Sequence, residues 1–161
     1  MGMATAEDLR EEFMRYMDLK DVKYTVFDEE DNIVYLAFGG DKETFVLVDF
    51  DEEGNDASSA HFVSQGFATV EKSMIPATLV KLNEINRQFR WVKFHMSDDG
   101  KISADCDAVL TPGTVGEECL EITIRMSNII ENALDMLDGV AEINMETKRT
   151  LDIIALIQHT Q

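Results

Sequence analysis

The side chains of this sequence that could act as nucleophile, base or metal ligand are few and widely separated. Cys106 and Cys119 are the thiols, and His61, His95 and His159 the imidazoles. A thiolate nucleophile needs a neighbouring base or positive charge to lower its pKa, and neither cysteine has a histidine in its own segment. Both read as core packing, since an unreactive cysteine behaves as a small hydrophobe. An enzyme would have to assemble its site from distant residues, such as Cys119 with a histidine. Two cysteines at this spacing make neither a zinc site nor a disulfide framework. No Gly-rich phosphate loop, nucleophile elbow, His-Glu-x-x-His helix or Cys-x-x-Cys pair is present. No catalytic residue, metal ligand or cofactor is therefore expected.

Two further patterns hint at ligands. The run Asp49-Phe50-Asp51-Glu52-Glu53-Gly54-Asn55 copies the opening of a calcium-binding EF-hand loop, with acidic residues at positions 1, 3 and 5 and glycine at 6. Position 12 requires a bidentate glutamate and holds Ala60, and the segment before the loop is strand-like rather than helical. Trp91 between Arg90 and Lys93 suggests nucleotide stacking, but one aromatic on a charged hairpin is the pattern of a packing residue at a sheet edge.

The elements that must position these residues follow from periodicity. Thr5 caps a first helix in which Leu9, Phe13, Tyr16 and Met17 recur at helical spacing, ending near Leu19. The period then becomes two. Val22, Tyr24 and Val26 alternate, Asp28 to Asn32 turns, and strands follow at Ile33 to Phe38 and Phe45 to Phe50. His61 to Val70 is a weaker fourth strand, interrupted by Ser64, Gln65 and Gly66. Pro76 opens a second helix whose stripe is Ile75, Leu79, Leu82, Ile85 and Phe89, bordered by Asn83 and Asn86.

The hairpin from Arg90 to Ala108 is specified most closely. A two-residue Asp99-Gly100 turn sets apolar residues opposite polar ones. A three-residue loop of Asp98, Asp99 and left-handed Gly100 pairs Met96 with Ile102, Phe94 with Ala104 and Val92 with Cys106, giving one apolar face. It also sets Lys93 across from Asp105, and His95 on the polar side. A third helix begins at Thr114, carries Cys119, Ile122, Met126, Ile129 or Ile130, Ala133 and Leu137, and stops at Asp138-Gly139. A fourth runs from about Ile143 to Gln158.

These elements, ordered α-β-β-β-β-α-β-β-α-α, predict an α+β fold with an antiparallel sheet and helices packed on one face. The run Ile33-Val34-Tyr35-Leu36-Ala37-Phe38 is apolar on both faces, and one helical layer cannot cover both. Either the C-terminal helix crosses to the far side or a second copy of the chain does the covering; a homodimer is the expectation.

A length of 161 residues, 45% apolar and 29% charged, suits one globular domain. The formal net charge is −18, which repels phosphate backbones and anionic lipid, so neither nucleic acid nor membrane is an expected partner. Met1-Gly2-Met3-Ala4-Thr5 lacks the basic flank and apolar run of a signal peptide, and no stretch of 18 apolar residues occurs. A cytoplasmic location is expected.

From Leu79 to about Asn132 the sequence resembles the YbjN family of bacterial proteins, often described as sensory transduction regulators. The resemblance rests on Leu82-Asn83-Glu84-Ile85-Asn86, on Trp91-Val92-Lys93-Phe94, on Asp98-Asp99-Gly100-Lys101-Ile102 with the strand to Leu110, and on Glu117-Glu118. It implies a fold like that of type III secretion chaperones, which are small acidic dimers that hold a partner polypeptide extended along their surface. Residues 1–139 then form the YbjN-like domain, and 140–161 an additional helix packed on it. The implied role is a non-enzymatic protein-binding adaptor or chaperone-like regulator. Its partner is another protein or peptide segment, basic for complementarity, and the candidate surface comprises Tyr35, Phe45, Leu47, Trp91 and Lys93. A small-ligand or metal-responsive sensor using the acidic loops is the alternative.

Overall fold

Thr5 opens the first helix with a reciprocal cap: the Asp8 amide donates to the Thr5 hydroxyl at 3.1 Å and the Thr5 amide to the Asp8 carboxylate at 3.0 Å. The Thr5 amide first, and then the Thr5 side chain, hold the Asp8 carboxyl below its usual range. The computed structural model in which this is seen describes residues 4–28, 32–39, 42–51 and 59–160. The acidic stretches at 29–31 and 52–58, including most of the loop resembling an EF-hand, lie outside the described residues.

Helix α1 (Ala6–Leu19) leads into strands β1 (Thr25–Asp28), β2 (Ile33–Phe38), β3 (Thr44–Asp51) and β4 (Ser59–Thr69). A 3-10 turn (Lys72–Met74), helix α2 (Ile75–Gln88), strands β5 (Lys93–Met96) and β6 (Lys101–Val109), helix α3 (Val115–Met136), the two-residue strand β7 (Glu142–Ile143) and helix α4 (Met145–Thr160) complete the order. All strand pairings are antiparallel, in the sequence β1-β2-β3-β4-β6-β5, with β7 joining β4. The α+β class and the order of the expected elements hold; β7, too short to show a period, is the addition.

Alternation along β3 separates two faces. Thr44, Val46, Val48 and Phe50 are buried toward α1 and α3, where Phe13 meets Phe50 at a ring separation of 5.8 Å. The α1–α3 crossing is close because Gly116 is a glycine: a Cβ there would lie 2.2 Å from the Tyr16 Cβ. Thr114 stands at the start of α3 but its side chain does not cap it. Glu12, from α1, does so instead, accepting the Gly113 and Val115 amides at 2.9 Å each. On α3 the buried residue is Ile130 rather than Ile129, and on α2 Thr78 takes the inward place expected of Leu79, which is exposed.

Phe45, Leu47 and their cross-strand neighbours Tyr35 and Ala37 lie on the opposite face. Tyr35 stacks on Phe27 at 4.5 Å and its hydroxyl reaches Asp152 of α4 at 3.4 Å. Helix α4 therefore crosses to this second face, one of the two ways of covering it that the sequence left open, while α1 and α3 pack on the first. The interruption in β4 is a bulge: Gln65, Gly66 and Phe67 together face Ser103, with Gly66 at φ 61° and its amide donating to the Ser103 hydroxyl at 2.8 Å.

Candidate functional site: an open strand edge

The β5–β6 hairpin closes through the expected three-residue loop. Gly100 has φ 81°, and a Cβ there would lie 2.6 Å from the Val70 carbonyl oxygen, so glycine is required by backbone and by space. The register pairs Lys93 with Asp105, Phe94 with Ala104, His95 with Ser103 and Met96 with Ile102. The further pairing of Val92 with Cys106 does not continue the ladder, since β5 starts at Lys93.

Along a strand, main-chain groups point alternately to the two neighbours. The Phe94 amide donates to Asn86 Oδ1 at 2.7 Å and its carbonyl accepts from Asn86 Nδ2 at 2.9 Å. Phe94 thus faces outward, and an asparagine from α2 occupies the place a further strand would take. Lys93 and His95 must then face β6, which makes Lys93–Asp105 a hydrogen-bonded pair and turns the odd-numbered residues of β6 toward β5.

β6 is nine residues long and β5 four. Upstream of Lys93 the chain bends away, and Phe89, which the register would set opposite Val109, instead closes α2 through its amide on Ile85. The N–H and C=O groups of Asp107 and Val109 consequently face a strand position that is empty. Among the described residues no hydrogen bond occupies them. Beside them is a groove of about 540 Å³, walled by Phe89, Trp91 and Val92 and by Cys106 and Ala108, with Ile122 of α3 beneath and with Asn86, Arg90, Lys93, Asp105 and Asp107 also lining it. Cys106 and Ala108 are half-buried, and Val109, at 78% exposure, stands open.

Charge is organised around this edge. Asp105 collects His61 Nε2 at 2.9 Å, His95 Nε2 at 3.6 Å and Lys93 Nζ at 3.8 Å. Two histidines far apart in sequence meet on one carboxylate. Asp107, two residues on and exposed on the same face, makes no hydrogen bond or ion pair among the described residues. The Cys106 thiol is pushed up to about 11, by burial first and then by Asp107 and Asp105. Burial, then Glu118 and Glu12, push the Cys119 thiol higher still. These shifts oppose a thiolate nucleophile. Among the described residues no cluster of three His, Cys, Asp or Glu could hold a metal ion.

The five residues proposed from sequence fall in two places. Tyr35 and Phe45 are 4% and 5% exposed and Leu47 is half-buried, on the face that α4 crosses. Trp91 and Lys93 border the groove: Trp91 is 51% exposed with the Arg125 guanidinium 5.6 Å from its ring centre, and Lys93 keeps its expected place opposite Asp105. The residues missed are Asp107 and Val109, and the sequence carried a signal for them. With the turn at Gly100 and α2 running to Phe89, no residue is left to face Val109.

Antiparallel strands backed by helices define an α+β scaffold. The chain belongs to the YbjN family, described as "Putative bacterial sensory transduction regulator", whose model matches residues 9–144 and stops one residue short of α4. Its fold is similar to the crystal structure of YbjN from E. coli, "a putative transcription regulator", with a TM-score of 0.52 at 16% identity over 80% of this chain and 89% of that one. At that identity the likeness is one of fold. No curated protein matches the sequence. No helix among the described residues is long and apolar enough to cross a membrane.

Proposed function

We propose that this chain acts without catalysis, as an adaptor or chaperone-like regulator in the cytoplasm, by accepting an extended segment of a partner protein as an extra strand beside β6. The observation that carries this is the main chain of Asp107 and Val109, unpaired among the described residues, next to a groove whose walls mix apolar with charged side chains. Open strand edges invite pairing, and folded proteins block those they do not use. Here Asn86 occupies the outer side of β5 and α4 packs against β1, while the β6 edge beyond β5 has no such cover among the described residues. Main-chain bonds would supply affinity and the groove a place for alternate side chains. The elevated thiols argue against a thiolate nucleophile, and the two free cysteines support a reducing compartment.

Panning a displayed library of random dodecapeptides against the protein tests this. Binders are expected to weaken by about tenfold or more on Val109→Pro, because proline removes the edge amide and crowds the site. The ladder to β4 does not use that amide, so the circular dichroism should be unchanged. A library that yields no binders, or binders indifferent to the proline, contradicts the proposal.

A further inference from the structure

The same edge carries information about what it accepts, an inference that rests on strand addition. We infer that the incoming segment has the pattern apolar–basic–apolar, with its basic residue opposite Asp107 and its flanking apolar side chains in the groove. A residue paired with Asp107 shares that residue's face of the sheet, and its two neighbours point to the other face. On that other face lie Cys106 and Ala108, half-buried, with Ile122 below and Trp91 across the groove. Small and apolar walls there favour apolar side chains of moderate size.

On the Asp107 face the balance is different. Lys93, His61 and His95 are all gathered on Asp105, and the Asp107 carboxylate has no counter-charge in ion-pair contact among the described residues, although Arg90 lines the same groove. A cation opposite it would supply one. The net charge of −18 adds a long-range preference of the same sign. The same reasoning disfavours a second copy of this chain paired about Asp107: that register brings the Asp107 carboxylates of two acidic molecules together, and like charges across a pair of strands oppose pairing.

Three amidated heptapeptides, Gly-Thr-Val-X-Val-Thr-Gly with X lysine, glutamine or glutamate and an uncharged fluorophore on the N-terminus, separate the possibilities by fluorescence anisotropy. The lysine peptide should bind most tightly, the glutamine peptide about three- to tenfold more weakly, and the glutamate peptide weakest. Asp107→Lys should reverse the order, and Val109→Pro should remove binding of all three. Equal binding of the lysine and glutamine peptides, or an order unchanged by Asp107→Lys, with binding still lost on Val109→Pro, overturns the charge preference and leaves strand addition standing. Binding by none, or binding untouched by the proline, overturns both.

Discussion

Cys106 and Cys119 both sit where the thiolate is disfavoured, one at the groove and one in the core. With Cys106 raised to about 11, roughly one thiol in a thousand is ionised at pH 8. Iodoacetamide should therefore label Cys106 far more slowly than a free thiol, and buried Cys119 more slowly again. Labelling of Cys106 should accelerate about tenfold per pH unit up to its pKa, as mass spectrometry of timed samples would show; rapid labelling of either thiol at pH 7 would revive a thiol enzyme. The linkage has a definite sign. Folded-state values above the unfolded one favour the neutral thiol in the folded chain, so this stability is complete below about pH 8.5 and declines as pH rises toward 11. Sequence placed both cysteines in the core, which holds for Cys119 while Cys106 lies half-buried at the groove, and it hid the histidine cluster, because His61 and Asp105 lie 44 residues apart and meet only through β4–β6 pairing.

Elements were legible where a local rule fixed them. The hairpin register followed from one requirement, a single apolar face, and the structure has it from Lys93 to Met96. What local patterns could not show was help from elsewhere in the chain: Glu12 capping α3, and Asn86 pairing with β5. Asn86 stood beside the α2 stripe in sequence, with nothing to indicate that its amide would stand in for a strand. Its removal is informative. Asn86→Ala should cost about 1–3 kcal/mol, the loss of two partly buried hydrogen bonds, measurable as a lowered midpoint in urea. It should also raise aggregation at high protein concentration by opening a second edge. An unchanged midpoint would mean that solvent satisfies Phe94 equally well.

On the scale of the whole molecule, the sequence identified a surplus of apolar strand surface and left open what covers it. The preferred answer, a homodimer, could not be weighed against α4 because periodicity defines which face of a helix is apolar and not where the helix docks. With α4 across Tyr35, Phe45 and Leu47, the surplus no longer calls for a second copy. Sedimentation equilibrium at micromolar concentration should give the 18.2 kDa of one chain. Ending the chain after Asn144 should keep the sheet, uncover that face, and produce strong dye binding and self-association; a truncated chain as monomeric and dye-free as the full one would show that α4 covers little. Strand addition requires two main-chain positions of β6 to be unclaimed in the isolated protein. Amide hydrogen exchange read by NMR reaches them directly: Asp107 and Val109 should exchange fast while Cys106 and Ala108, turned toward β4, are protected, and equal protection at all four would show that the edge is already filled.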